Sequence, residues 1–257
     1  MEWTFVVTNK HVLDGATELE LITTLKSDGT PNLADHYPVR ITELQGAVTG
    51  HPEDNVDIAL LNFSNVVTTL AQAGVDTFYA KVPLEAIPSA SQLAELDAIE
   101  DIVFLGYPDG PSDEINQLPV ARRGITATPL TVDFRGQPQF LIDAAVYPGS
   151  SGSPVFLMDR GQLPIVGSPS VPGTRVWLLG IVAGAFFQPD TGRVTLMDTP
   201  TQAEPVAAIR QWIDLGVIVK SRTIVETAVH AFQSRGKPLP ASLAAALSNV
   251  LPVSSIS

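Results

Sequence analysis

The chain of 257 residues contains no cysteine. This absence excludes disulfide bonds, thiolate catalysis and cysteine-based metal sites, and it suits a reducing compartment. Basic residues are also scarce, since 15 Lys and Arg stand against 27 Asp and Glu and give a net charge of −12. No basic cluster is longer than Arg122-Arg123. Because nucleic acids and anionic membranes are bound through basic patches, we expect neither as a partner.

Long apolar segments and targeting signals are missing as well. The longest apolar run, from Val176 to Phe187, has 12 residues and is interrupted by two glycines. It is too short to span a bilayer and predicts a buried strand. The first residues lack the basic head and the cleavage site of a secretory signal. We therefore expect the cytoplasm as the default location, unless the chain begins further upstream. The four histidines form no i, i+4 pair, and we expect neither a metal nor a cofactor.

Short strand signals dominate what is present. The composition, 45% apolar and 16% charged, is that of a globular protein. Runs of apolar and β-branched residues alternate with turns rich in Gly, Pro and Asp, which is typical of an all-β fold. A linker containing Pro83 and Pro88 separates two clusters of such runs. We therefore predict an N-terminal β-barrel over residues 1–88 and a C-terminal β-barrel with its linker over residues 89–222.

The end of the chain has helical periodicity instead. Thr223 and Glu226 have the spacing of a capping box, and apolar residues then recur with helical spacing as far as Phe232. The Ala- and Leu-rich segment from Ser242 to Val250 predicts a second helix. Residues 223–257 are therefore expected to form a helical tail.

Three residue types needed for nucleophilic catalysis occur in suggestive positions. His11 follows a predicted strand, Asp57 directly precedes an apolar one, and Ser151 lies between Gly149 and Gly152 in a glycine-rich turn. A serine hydroxyl becomes a nucleophile when an imidazole takes its proton, and the imidazole is held by a carboxylate. The order His, Asp, Ser is that of the chymotrypsin arrangement.

Each of these signals has a plainer interpretation. Clusters of Gly, Ser and Pro are the ordinary composition of turns, so the loop around Ser151 is weak evidence alone. Asp54 competes with Asp57 for the carboxylate role, although the buried strand after Asp57 favours the latter. His36, His51 and His230 are expected at the surface.

Six motifs of the chain are VTNKHV around His11, DIALL from Asp57, LGYPDG from Leu105, RRGITA from Arg122, DAAVYPGSSGSPV from Asp143 and GIVAGAFF from Gly180. Together they resemble the bacterial trypsin-like serine peptidases, with the HtrA/Deg branch as the nearest kin but without a PDZ domain. The resemblance implies a trypsin-like double antiparallel β-barrel, all-β, with the active site in the inter-barrel cleft and with C-terminal helices. It implies a triad of His11, Asp57 and Ser151 and an oxyanion hole at Gly149 and Ser151.

Departures from the family pattern bear on substrate choice. Digestive trypsins carry an acidic residue six positions before the nucleophile, and here that position is Ala145. Position 150, an Asp in those enzymes, is Ser150, so activation by cleavage of a zymogen is not expected. We expect a small or medium apolar residue before the scissile bond, because the predicted pocket walls are Ala145, Val146, Ala183, Gly184 and Ala185.

The start of the chain departs furthest from the family. Only ten residues precede His11, where family members normally have one or two further strands. The first barrel is therefore expected to lack at least one strand. Either the start is internal to a longer gene product, or a partner or the helical tail covers the exposed edge.

Two functions follow from these observations. One is a serine endopeptidase that works on polypeptides through an acyl-enzyme. The alternative is a catalytically weak or inactive peptide-binding module on the same fold. An esterase of the α/β-hydrolase class is excluded, because its Gly-x-Ser-x-Gly motif would need glycine where Ser153 stands.

Overall fold

The computed structural model describes residues 3–109, 113–165, 168–190 and 209–251. Twelve strands and four α-helices account for most of them. The strands are β1 Phe5–Thr8, β2 Leu19–Ser27, β3 Thr30–Ile41, β4 Val48–Gly50, β5 Ala59–Asn62, β6 Thr77–Phe78, β7 Asp101–Gly106, β8 Val120–Thr126, β9 Gln139–Asp143, β10 Pro154–Ile165, β11 Ser168–Asp190 and β12 Ile209–Lys220. The helices are α1 Ser64–Gln72, α2 Ala90–Ala94, α3 Arg222–Gln233 and α4 Ala241–Val250.

The N-terminal half contains two three-stranded antiparallel sheets, β1-β5-β4 and β3-β2-β6. Strand β1 lies against β5 with Phe5 opposite Asn62 and Thr8 opposite Ala59. Because the two strands are antiparallel, the end of β1 and the start of β5 lie side by side. His11, just after β1, is thereby brought to the same end of the sheet as Asp57, just before β5. Among the described strands, β5 is the only partner of β1.

The C-terminal half is a closed antiparallel barrel in the order β10-β11-β12-β9-β8-β7. Strand β7 shows the expected alternation, with Ile102 and Phe104 buried inside the barrel and Asp101 exposed at its start. Strand β11 contains the long apolar run, as predicted. The predicted fold class, mostly β with helices at the C-terminus, is confirmed. No helix in the described ranges is long and apolar enough to cross a membrane.

Helix α3 belongs to the protein core rather than to a peripheral tail. One apolar cluster combines Ile58 and Leu60 of the N-terminal half with Ile181 and Val219 of the barrel and with the buried face of α3. The ring of Phe232 in α3 also packs edge-on against Trp3, with 4.9 Å between centroids. Eight residues of α3 are buried, namely Thr223, Ile224, Val225, Thr227, Ala228, Val229, Ala231 and Phe232.

The capping box predicted at the start of α3 does not form. Thr223 Oγ1 donates to the carbonyl of Lys220 at 2.7 Å, and no side-chain hydrogen bond caps the helix. Glu226 instead accepts a hydrogen bond from His51 Nε2 at 3.2 Å. His51, which was expected at the surface, is only 6% exposed. Its Nδ1 accepts the N–H of Glu53 at 3.1 Å, so the ring proton is on Nε2 and the tautomer is fixed.

A buried cation links the barrel to a loop. Lys220, 5% exposed, lies at the end of β12, and its Nζ donates to Asp133 Oδ1 at 2.7 Å. Arg222 Nη2 contacts Asp133 Oδ2 at 2.6 Å. Burial lowers the pKa of Lys220, and the bond to Asp133 offsets only part of this effect. Burial alone would raise the pKa of Asp133, but the hydrogen bonds from Lys220 and Arg222 outweigh it and hold the pKa below its usual range.

Replacing Asp133 by Asn should destabilise the fold at neutral pH, because it leaves the Lys220 ammonium buried without its countercharge. Breaking a buried pair is costly, but Asp133 is one-third exposed, so we expect a loss of about 2 kcal/mol in the free energy of unfolding. The ionised Asp133 stabilises the fold above about pH 4, and this stabilisation is lost as the pH falls through the lowered pKa of the folded state. Urea unfolding of both proteins at several pH values measures this, and the two stabilities should converge in acid.

Asp101→Asn is the matched control, since Asp101 pairs with Arg123 on the surface with side chains 59% and 73% exposed. This variant should lose less than about 0.5 kcal/mol. Equal losses in the two variants would contradict the role assigned to Asp133.

Candidate active site

The structure brings His11, Asp57 and Ser151 together. His11 Nδ1 lies 2.6 Å from Asp57 Oδ2, and His11 Nε2 lies 3.0 Å from Ser151 Oγ. The backbone N–H of His11 also donates to Asp57 Oδ1 at 3.1 Å. Asp57 thus holds both the ring and the backbone of His11. With the Nδ1 proton directed at Asp57, Nε2 is free to accept the proton of Ser151.

The competing carboxylate does not take part in this contact. Asp54 is exposed, and no hydrogen bond joins it to His11 in the structure as described. Asp57 is 27% exposed and His11 49%, so solvent reaches the imidazole while the carboxylate is more sheltered. The geometry therefore favours Asp57 over Asp54 as the partner of His11.

The loop that carries Asp57 is fixed from several directions. Asn9, which is fully buried, donates from Nδ2 to the Asp57 carbonyl at 2.8 Å. Lys10 Nζ donates to the Glu53 carbonyl at 2.7 Å, so both neighbours of His11 on its N-terminal side bind this loop. Asn55 Nδ2 donates to Gln137 Oε1 of the barrel at 2.6 Å. Sequence reasoning missed Asn9, although its position two residues before His11 was a possible signal.

The turn around Ser151 depends on left-handed glycines. Gly149 and Gly152 have φ values of +81° and +82°, a region that strains any residue with a Cβ. Hydrogen bonds from Ser150 N–H to the Tyr147 carbonyl and from Ser153 N–H to the Ser150 carbonyl, both 3.1 Å, close the turn. Ser150 and Ser153 are buried, whereas Ser151 is partly exposed toward His11.

The two backbone amides predicted for the oxyanion hole have no partner within the described residues. Neither the Gly149 N–H nor the Ser151 N–H donates to another group there, although the intervening Ser150 N–H does. Two neighbouring unpaired donors can bind an oxygen that gains negative charge.

The predicted pocket walls lie on either side of β12. Ala185 of β11 pairs with Gly216 of β12, which in turn pairs with Ile142 of β9. Val146 is buried and packs over Gly216. A Cβ added at Gly216 would lie 2.7 Å from Val146 Cγ2. The remaining predicted wall residues are partly exposed, namely Ala145, Ala183, Gly184 and Ala185. Sequence reasoning missed Gly216. The available signal was that it is a single glycine inside an apolar strand.

Arg122 is a third residue that sequence reasoning did not assign. It projects from β8, and its Nη1 donates to the Ala145 carbonyl at 2.8 Å. Its guanidinium carbon lies 4.8 Å from the centroid of the Tyr147 ring, which is a cation–π contact. Arg122 therefore clamps the segment that leads into the Ser151 turn.

Comparison with known proteins identifies the family of the chain. The family model described as trypsin-like peptidase domain matches residues 2–167, more than half of the chain. The chain therefore belongs to this family, its fold is trypsin-like, and membership indicates a peptidase, a hydrolase that acts on polypeptides. A comparison with curated proteins found none that matches.

Close packing behind the Ser151 turn generates a stability prediction. A Cβ added at Gly106 would lie 2.1 Å from Ser153 Oγ and 3.1 Å from its Cβ. Gly106→Ala should therefore cost about 2 kcal/mol of unfolding free energy through overpacking. Adding Ser153→Ala removes the nearer atom and should restore at least half of the loss. Urea unfolding of the wild type, the two single variants and the double variant measures the coupling.

Strict additivity of the two substitutions would contradict this packing. Ser153→Ala alone shows the cost of losing the hydroxyl. Gly184→Ala is a further control, because an added Cβ there would meet no atom within 4 Å.

Proposed function

We propose that the protein is a serine endopeptidase that hydrolyses peptide bonds through an acyl-enzyme. The observation that carries this proposal is the continuous contact from Asp57 through His11 to Ser151, with 2.6 Å and 3.0 Å between the paired atoms. The unpaired amides beside Ser151 and the family membership support it.

In the proposed reaction, Ser151 Oγ attacks the carbonyl carbon of the scissile bond while His11 Nε2 takes the hydroxyl proton. Asp57 stabilises the resulting imidazolium and holds the ring in place. The carbonyl oxygen gains a negative charge, which the N–H groups of Gly149 and Ser151 bind. His11 then gives its proton to the leaving amine as the bond to nitrogen breaks. A water molecule, deprotonated by His11, cleaves the acyl-enzyme and restores Ser151.

The side chain before the scissile bond is proposed to be small or medium-sized and apolar. Its pocket would be lined by Ala145, Val146 and the segment from Ala183 to Ala185. Val146 packs over Gly216, the glycine between the two wall segments, which favours a shallow pocket. An acidic side chain that would grip Lys or Arg is missing from the walls. Kinship with the HtrA/Deg branch stays a prediction, as does the absence of a nucleic-acid partner.

Labelling by a fluorophosphonate probe tests the proposed function. The probe phosphonylates an activated serine, so the wild type should gain one adduct by intact-protein mass spectrometry. Ser151→Ala should gain none, whereas Ser150→Ala, which removes the adjacent buried hydroxyl, should still be labelled. Asp57→Asn should slow labelling by roughly 10³- to 10⁴-fold, because the imidazole would no longer be held in the required tautomer.

A folded wild-type protein that stays unlabelled would exclude the peptidase. Measurable peptide affinity together with the absence of an acyl-enzyme would then favour the alternative, a peptide-binding module. Labelling that persists in Ser151→Ala would show that another serine is the nucleophile.

A further inference from the structure

One carboxylate at the proposed site plays no part in the triad. Asp109 follows β7, and its backbone N–H donates to the Pro148 carbonyl at 3.1 Å, directly before Gly149. A Cβ added at Gly149 would lie 2.6 Å from Asp109 Oδ1 and 2.7 Å from Asp109 N. The Asp109 carboxylate is therefore packed against the residue whose N–H is proposed to bind the oxyanion.

No countercharge to this carboxylate is found among the described residues. Asp109 is exposed, and among the described residues no Lys, Arg or His nitrogen lies within 4.0 Å of it. An unpaired negative charge beside the oxyanion site disfavours the charge that develops there. A cation on the substrate near Asp109 would remove this penalty and add attraction of its own.

The position of Asp109 indicates which part of a substrate it faces. After Ser151 the turn is held by β11, where Gly152 N–H donates to the Val182 carbonyl at 2.9 Å. Before Ser151 it is held by Asp109, whose N–H donates to the Pro148 carbonyl. The residue before the scissile bond is proposed to lie against Ala183 to Ala185, which continue β11 from Val182. On the same proposal, the residues after the bond leave past Gly149 toward Asp109.

We propose that Asp109 is a specificity-determining residue that favours Lys or Arg at one of the two positions directly after the scissile bond. This inference rests on the proposed function for the direction of the substrate. It concerns the residues after the scissile bond, whereas the apolar pocket is proposed to take the residue before it, so the two preferences apply to different substrate residues.

The test uses internally quenched peptides with Val before the scissile bond and with Lys, Gln or Glu at each of the next two positions. At low salt the wild type should cleave the Lys peptide about threefold to fivefold faster than the Gln peptide in kcat/KM, and the Glu peptide slower by a similar factor. Asp109→Asn, which keeps the side-chain shape, should bring the Lys-to-Glu ratio close to one. Asp109→Lys should reverse it, and 0.5 M salt should weaken the wild-type preference.

Binding of the same peptides, fluorescently labelled, to Ser151→Ala and to Ser151→Ala/Asp109→Asn separates this inference from the proposed function. A charge preference that disappears with Asp109→Asn supports the inference even if the wild type fails to react with the fluorophosphonate. Asp101→Asn, at the opposite end of β7, is the matched control and should leave the preference unchanged. A Lys-to-Glu ratio that is the same with and without Asp109, or the absence of any peptide binding and cleavage, would overturn it.

Discussion

The apolar cluster shared by both halves and α3 is the constraint on which the site depends. His11 and Asp57 come from the N-terminal half and Ser151 comes from the C-terminal half, so no single half contains all three side chains. The 3.0 Å contact between His11 Nε2 and Ser151 Oγ persists only if the two halves keep a fixed relation. Burial of apolar surface is non-directional, but close packing resists displacement because even a shift of one methylene width opens voids. Helix α3 contributes to this core from behind the site.

Hydrogen bonds then fix the positions of the site residues more closely than the apolar core alone does. The loop from His51 to Asp57 is bonded to α3 through Glu226, to the barrel through Asn55 and to the β1 side through Asn9 and Lys10. Each bond contributes only about 1 kcal/mol to stability. Their larger effect is on geometry, because a carboxylate misplaced by 1 Å would no longer support the imidazole. Polar residues distant from the nucleophile can thus matter to the reaction.

Local patterns and their order predicted the fold class, which is confirmed, and singled out three side chains that the structure brings together. The glycines around Ser151 and the strands next to His11 and Asp57 are local signals, and the chain order of the three residues restricted the fold. Contacts between distant residues were not predictable. The Thr223 and Glu226 spacing predicts a capping box from sequence alone, yet Glu226 binds His51, 175 residues away. His51 was expected at the surface for the same reason, since no local pattern reveals a partner on another element. Gly216 likewise acquires its role through strand pairing, and Arg122 acquires its role through side-chain contacts with Ala145 and Tyr147.

Net charge and local charge have different consequences for such a site. The net charge of −12 produces a field that attracts basic peptides and speeds their encounter, but salt screens it beyond about 8 Å under physiological conditions. Discrimination in the transition state depends on charges that lie within a few ångströms of the reacting atoms. Asp133, for example, is already paired with Lys220 and Arg222. The Asp109 carboxylate, packed against Gly149 and unpaired among the described residues, has a different effect, because its charge acts where the oxyanion would form. The acidity of the whole chain therefore does not by itself define a substrate, whereas the position of a single carboxylate can.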